Sequence, residues 1–150
     1  MRTRHSSPRH VLVVALALLL IGAGAIGDFQ DHRDVGVVTK AGTAAYDKAN
    51  RQYTVTAGGE NIWATKDAFH FVWRKMSGDV DLSAAVRLVR VGDKFTITVT
   101  PDGQAPTEAG PVTVELHDPV YAGLAVSAHD AAATETAVFS NVELKTPATN

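Results

Sequence analysis

Two His-Asp dipeptides, His117-Asp118 and His129-Asp130, are the residues of this chain best suited to chemistry. An imidazole beside a carboxylate can share a divalent metal, or the carboxylate can orient the imidazole as a base. Both pairs fall where strands should end, so loops could bring them together. The same dipeptides are also ordinary turn and cap chemistry. No HExxH or HxxxH spacing supports a zinc centre. Ser127-Ala128-His129-Asp130 holds the three residue types of a hydrolytic triad, crowded into one strand end rather than separated as a triad requires. There is no cysteine and no G-x-S-x-G elbow, and Gly58-Gly59 lacks the lysine of a phosphate loop.

Glycoside hydrolysis needs two carboxylates roughly 5 to 9 Å apart across a sugar bond. The nearest spacing here, Asp79-Val80-Asp81, sits in a turn, and Asp93 and Asp102 flank a strand rather than line one. The expectation is therefore a non-enzyme. The aromatic residues offer binding instead. Trp73 lies in an apolar segment and reads as core, while Trp63 follows a Gly-rich turn and reads equally as rim packing or ligand contact. The candidate ligand contacts are Trp63, Asn61, Asp67 and His129. No cofactor is expected beyond a calcium option: Asp28, Asp31 and Asp34 show alternating-type spacing, and Asp67 is a second candidate. A solvated acidic face explains the same residues.

The elements that must position these groups are short strands. Phe69 to Met76 is apolar on both faces, as in a central strand. Ser77-Gly78-Asp79 reads as a tight turn closing an antiparallel hairpin onto Val80 to Val89, which alternates at Leu82, Ala84, Val86 and Leu88. Strands are also expected over Val35–Lys40, Gln52–Ala57, Lys94–Thr100, Pro111–Leu116, Tyr121–His129 and Glu135–Leu144. Turns are expected at Ala41–Thr43, Asp47–Asn50 and Pro101–Gly103, and an exposed loop from Gln104 to Gly110. Outside the leader no amphipathic helix is legible. The pattern predicts an all-β antiparallel sandwich.

Several of these segments together resemble the β-sandwich modules of the concanavalin A-like lectin/glucanase superfamily found in secreted bacterial proteins. The resembling residues are Asp34-Val35-Gly36, Tyr46-Asp47, Tyr53-Thr54-Val55, Asn61-Ile62-Trp63, Asp67 to Trp73, Ser77-Gly78-Asp79, Tyr121 to His129 and Ala137 to Leu144. The resemblance implies a jelly-roll sandwich and carbohydrate as a first ligand. The chain departs from it in the middle. Val89 runs into the hairpin Arg90-Val91-Gly92-Asp93-Lys94, where longer relatives would carry the strands of their sugar-holding concave sheet. A shortened sandwich would leave open edges, which implies a protein partner or self-association as the alternative role.

Residues 1–27 read as a signal peptide. Arg2, Arg4 and Arg9 precede the apolar run Val11–Ile21, and Ala23-Gly24-Ala25 offers a cleavage pattern before Ile26. Export to the periplasm or exterior follows, with membrane attachment only if the leader is uncleaved. Residues 28–144 form the expected domain and 145–150 a flexible tail. Without the leader, 11 basic residues face 16 acidic ones, a charge of −5. That balance and the lack of a basic stripe speak against nucleic acid. With no disulfide available, stability must come from apolar burial.

Overall fold

The computed structural model describes residues 25–63, 65–84, 86–101 and 103–146. The basic leader and its apolar run lie outside the described residues, as do positions 147–150. The described chain is all-β. In order, its strands are β1 (Asp31–Val35), β2 (Thr43–Asp47), β3 (Gln52–Ala57), β4 (Ile62–Trp63), β5 (Lys66–Asp67), β6 (Phe69–Met76) and β7 (Val80–Ser83). There follow β8 (Val86–Val91), β9 (Lys94–Val99), β10 (Thr107–Thr113), β11 (Val120–Val126), β12 (Glu135–Ser140) and β13 (Glu143–Lys145). Every pairing is antiparallel. The sheets run β1-β6-β11, β12-β3-β2 and β10-β9-β8-β7-β13, with β4-β5 a small hairpin, an arrangement consistent with a β-sandwich.

Alternation decides what each sheet buries. In β3, Tyr53, Val55 and Ala57 turn inward and are buried, while Thr54 points out. In β6, His70 and Val72 turn inward, and register places Val126 and Leu124 opposite them on the same face. These two faces meet in one core with Phe29 and Val142. Phe29 packs edge-on to Tyr53, ring centroids 5.1 Å apart, a favourable quadrupole arrangement.

The chain enters this core early. Ile26 and Phe29 exchange backbone hydrogen bonds of 3.0 Å, and Ile26 packs on the cluster. Between them Gly27 lies so close to the Tyr53 phenol that a Cβ there would overlap it. The Tyr53 hydroxyl accepts the Asp28 N–H at 2.8 Å, and burial pushes its phenol pKa up.

Several sequence expectations change. β6 is central, but its neighbours are β1 and β11, not β7. The turn at Ser77-Gly78-Asp79 therefore hands the chain to another sheet instead of closing a hairpin. Val80 to Val89 is two strands folded on each other, with Leu82 opposite Leu88 and Ser83 opposite Arg87. In this register residues of equal parity pair, so the alternation runs through the turn unbroken. Ala84 N–H donates to the Val86 carbonyl at 3.0 Å, and no Gly or Pro marks the reversal.

The first strand lies earlier than Val35–Lys40, because the polar run Asp31–Val35 pairs with β6, and Val37 stands 90% exposed beyond it. Thr43 opens β2 rather than closing a turn, since Ala44 and Tyr46 pack on the core. The expected loop from Gln104 yields β10 from Thr107, exposed along its length but paired to β9. The closing strand breaks at Asn141, whose φ of 54° turns Val142 into the core.

Candidate functional site

Gly58-Gly59 ends β3 and the β4-β5 hairpin then projects from the sheet. Its Asn61 side chain accepts the Ile62 N–H at 2.9 Å, and the Asn61 carbonyl accepts the Ala68 N–H at 2.7 Å, closing the hairpin's base. Trp63 pairs with Lys66 and Ile62 with Asp67, which throws the indole out to 76% exposure. Beside the hairpin lies a cleft of about 890 Å³, within the usual size of a small-ligand site. Its lining includes Trp63, Asn61, Glu60, Lys66 and Asp67 on one side, and Val35, Gly36, Val37 and Thr39 on the other. Ala131 also lines it, and its carbonyl accepts the Thr39 hydroxyl. Glu60, Lys66 and Asp67 form no ion pair with the described residues. The cleft therefore offers a bare aromatic face, with the Asn61 amide and charged groups that form no ion pair among the described residues around it.

Three of the four sequence candidates, Asn61, Trp63 and Asp67, thus gather at one cleft. His129 does not line it. It sits in a left-handed conformation, φ 56°, in the loop after Ser127, whose hydroxyl donates to the Ala68 and Gly59 carbonyls at 3.1 and 3.3 Å. The His-Asp dipeptides serve separate turns. Asp130 accepts the Ala132 N–H at 2.7 Å, while Asp118 binds Arg90 at 2.6 Å and the Gly78 N–H at 2.9 Å. The Arg90 hydrogen bond, reinforced by the Gly78 N–H, holds the Asp118 carboxyl below its ordinary value. Arg90 itself is buried and donates further to the Gly92, Gly78 and Leu116 carbonyls, so this constellation ties loops together.

Asp31 and Asp34 project to opposite faces of β1 and do not converge on one ion. Asp34 Oδ1 is 2.7 Å from His70 Nδ1, and Asp31 accepts the His32 N–H at 2.8 Å. Among the described residues no group of three or more His, Asp or Glu could hold a metal. Trp73 is only half-buried. Its ring meets Tyr121 edge-on at 4.8 Å and carries the Arg33 guanidinium at 5.7 Å, on the β6 face turned away from Val72.

Sequence reasoning missed one buried polar cluster. His70 is 2% exposed, its Nδ1 against Asp34 and its Nε2 2.8 Å from His32 Nδ1. One signal was available: His32 and Asp34 stand two apart, on the same face of any strand that contains both. Nothing local tied that pair to His70, 36 residues beyond Asp34. No protein-family model matches this chain, and neither a curated protein nor a solved structure is significantly similar to it.

Proposed function

We propose that the chain is an exported, non-catalytic binding module whose first ligand class is carbohydrate, held in the cleft beside the β4-β5 hairpin. One observation carries this reading: Trp63 stands 76% exposed at the lip of a cleft furnished with Asn61, Glu60, Lys66 and Asp67. An indole left this open keeps its apolar face available to a ligand at the cleft. A pyranose would fit, its C–H face on the indole and its hydroxyls on the amide and carboxylates. The jelly-roll affinity rests on the resembling residues alone. A glycan array on the chain without its leader is the test, with Trp63→Ala as control. Binding that Trp63→Ala abolishes supports the reading, and silence across the array overturns it. Release of reducing sugar by wild type would instead make Glu60 and Asp67 catalytic candidates.

Export is part of the same proposal. Of the two starts the leader offers, Ile26 suits the fold better than Asp28, because Ile26 packs on the core. N-terminal sequencing of exported protein should read Ile26, and intact Met1 in membranes would overturn this.

A second reading, a module that associates with another copy of itself, is favoured by the five-stranded sheet. Val86, Ile97, Val99 and Val112 share one face and are 49%, 42%, 42% and 59% exposed. The edge strand β10 is a poorer candidate, since Pro111 and a register shift between Ala109 and Val112 blunt it. Sedimentation over a wide concentration range decides: a monomer throughout removes this reading.

A further inference from the structure

The cleft wall from Val35 to Ala41 begins and ends on one carboxylate. Asp34, just before it, accepts the N–H of Gly42, just after it, at 3.0 and 3.2 Å. The same carboxylate meets His70 Nδ1 at 2.7 Å. Gly42 lies against the His70 ring so closely that a Cβ there would overlap it. His70 Nε2 then meets His32 Nδ1 at 2.8 Å. The segment closed at this neck supplies Val35, Gly36, Val37 and Thr39 to the cleft.

We infer that His32, His70 and Asp34 form an acid-released latch on this wall. With Asp34 ionised, His70 donates from Nδ1, and a single proton serves the contact between the two rings. One more proton can settle on His32 Nε2 and leave the chain of hydrogen bonds whole. A second places N–H against N–H, cation against cation, and the 2.8 Å contact must part. Protonating Asp34 instead would weaken its hold on His70 and Gly42. By either route the open state holds more protons than the latched one, so acid favours opening. The limit is about tenfold in the equilibrium per pH unit for each extra proton.

The surroundings leave this balance to the three residues. On β1, Asp31 is engaged by the His32 N–H, and Arg33 turns to the opposite face over Trp73. On β6, Arg74 lies four residues along the His70 face and opposes added charge. β11 brings only Tyr121, which turns away toward Trp73 and Lys75. β3 brings only Tyr53, whose raised phenol pKa keeps it neutral. On β2, Asp47 is tied to Asn50 at 2.7 Å, and beside Gly42 the Lys40 carbonyl packs on Gly58. The effect on a ligand rests on the cleft reading above, whereas the latch does not.

Hydrogen exchange of the ligand-free protein tests it, from pH 8 to 4.5, corrected for the intrinsic pH dependence of exchange. Protection across 35–43 should fall at least tenfold on acidification, while that of β3 stays constant. His32→Gln, which keeps a donor for His70 but takes up no proton, should remove most of this fall. A flat wild-type profile, or an equal fall in His32→Gln, would overturn the latch. If His32→Gln does not fold, imidazole nitrogen spectra of wild type decide, since His70 must be protonated at Nδ1 and bare at Nε2 at pH 8. Glycan binding with no pH-dependent opening sinks the latch and spares the cleft reading. Opening without glycan binding does the reverse.

Discussion

β3 and β9 carry the same kind of alternation and meet different surroundings. Tyr53, Val55 and Ala57 are buried, between 0 and 2% exposed, against β6 and β11. In β9, Phe95, Ile97 and Val99 also share one face, yet Ile97 and Val99 are each 42% exposed. Cover on that sheet lies at the β7 and β13 side, where Val80 and Arg90 are buried and Leu82 and Leu144 pack on the core. Alternation thus writes an apolar face without stating what lies over it. What closes the first face is a set of close approaches. Phe29 meets Tyr53, Gly27 meets the Tyr53 phenol, and Gly42 meets His70; Phe29, Gly27 and Gly42 all stand outside the regular alternation.

The largest expected effect tests this contrast directly. Phe29→Ala should cost about 3 to 5 kcal/mol, the usual penalty for emptying a buried aromatic site. Ile97→Ala should stay within about 0.5 kcal/mol, as for exposed positions. Paired urea melts measure both. Comparable losses would mean that the β9 face is covered in solution, and a loss at Ile97 that grows with protein concentration would identify a second copy as the cover.

Gly42→Ala probes close approach rather than burial. The added methyl must displace a ring that is 2% exposed and hydrogen-bonded at both nitrogens, so about 1 to 3 kcal/mol is expected. Part of that loss should appear locally, as faster exchange across 35–43. Tolerance of this methyl would show that the neck is looser than its geometry.

The same contrast explains what was legible in the sequence. Gln52–Ala57 was readable to the residue because its alternation ends in turns marked by Asp, Asn and Gly. Asn61, Trp63 and Asp67 were readable as a group because the hairpin that gathers them is local. The reversal after Ser83 was not, since equal-parity pairing hides it and alanine does not announce it. β1 was not either. Its residues are mostly polar, and their partners, the β6 backbone and the His70 ring, lie in a distant part of the chain. Long-range polar partners leave no local trace.

Trp63→Ala should change stability by no more than about 0.5 kcal/mol, since the indole is 76% exposed. A thermal melt beside the glycan assay separates the two consequences. A substantial loss of stability would make Trp63 a packing residue of the hairpin and remove the observation on which the binding reading stands.

The smallest effect is electrostatic and sits at the covered side of the five-stranded sheet. Asp118 is 43% exposed, whereas its partner Arg90 is 8% exposed at the side chain. Arg90, with help from the Gly78 N–H, depresses the Asp118 carboxyl below its ordinary value. A depressed acid contributes stability that is fully present above the unfolded value, about pH 4, and lost as pH falls through the folded one. Solvent screening on the Asp118 side keeps this contribution modest. The Gly78 amide, 2.9 Å from Asp118 Oδ2, is the local reporter. Its corrected protection should hold from pH 8 down to about 4 and fall below, independently of the response of the 35–43 segment. Asp118→Asn should flatten the Gly78 response without altering that of 35–43. If both regions lost protection at one pH in wild type and in the variant, the two clamps would be parts of a single acid unfolding rather than independent devices.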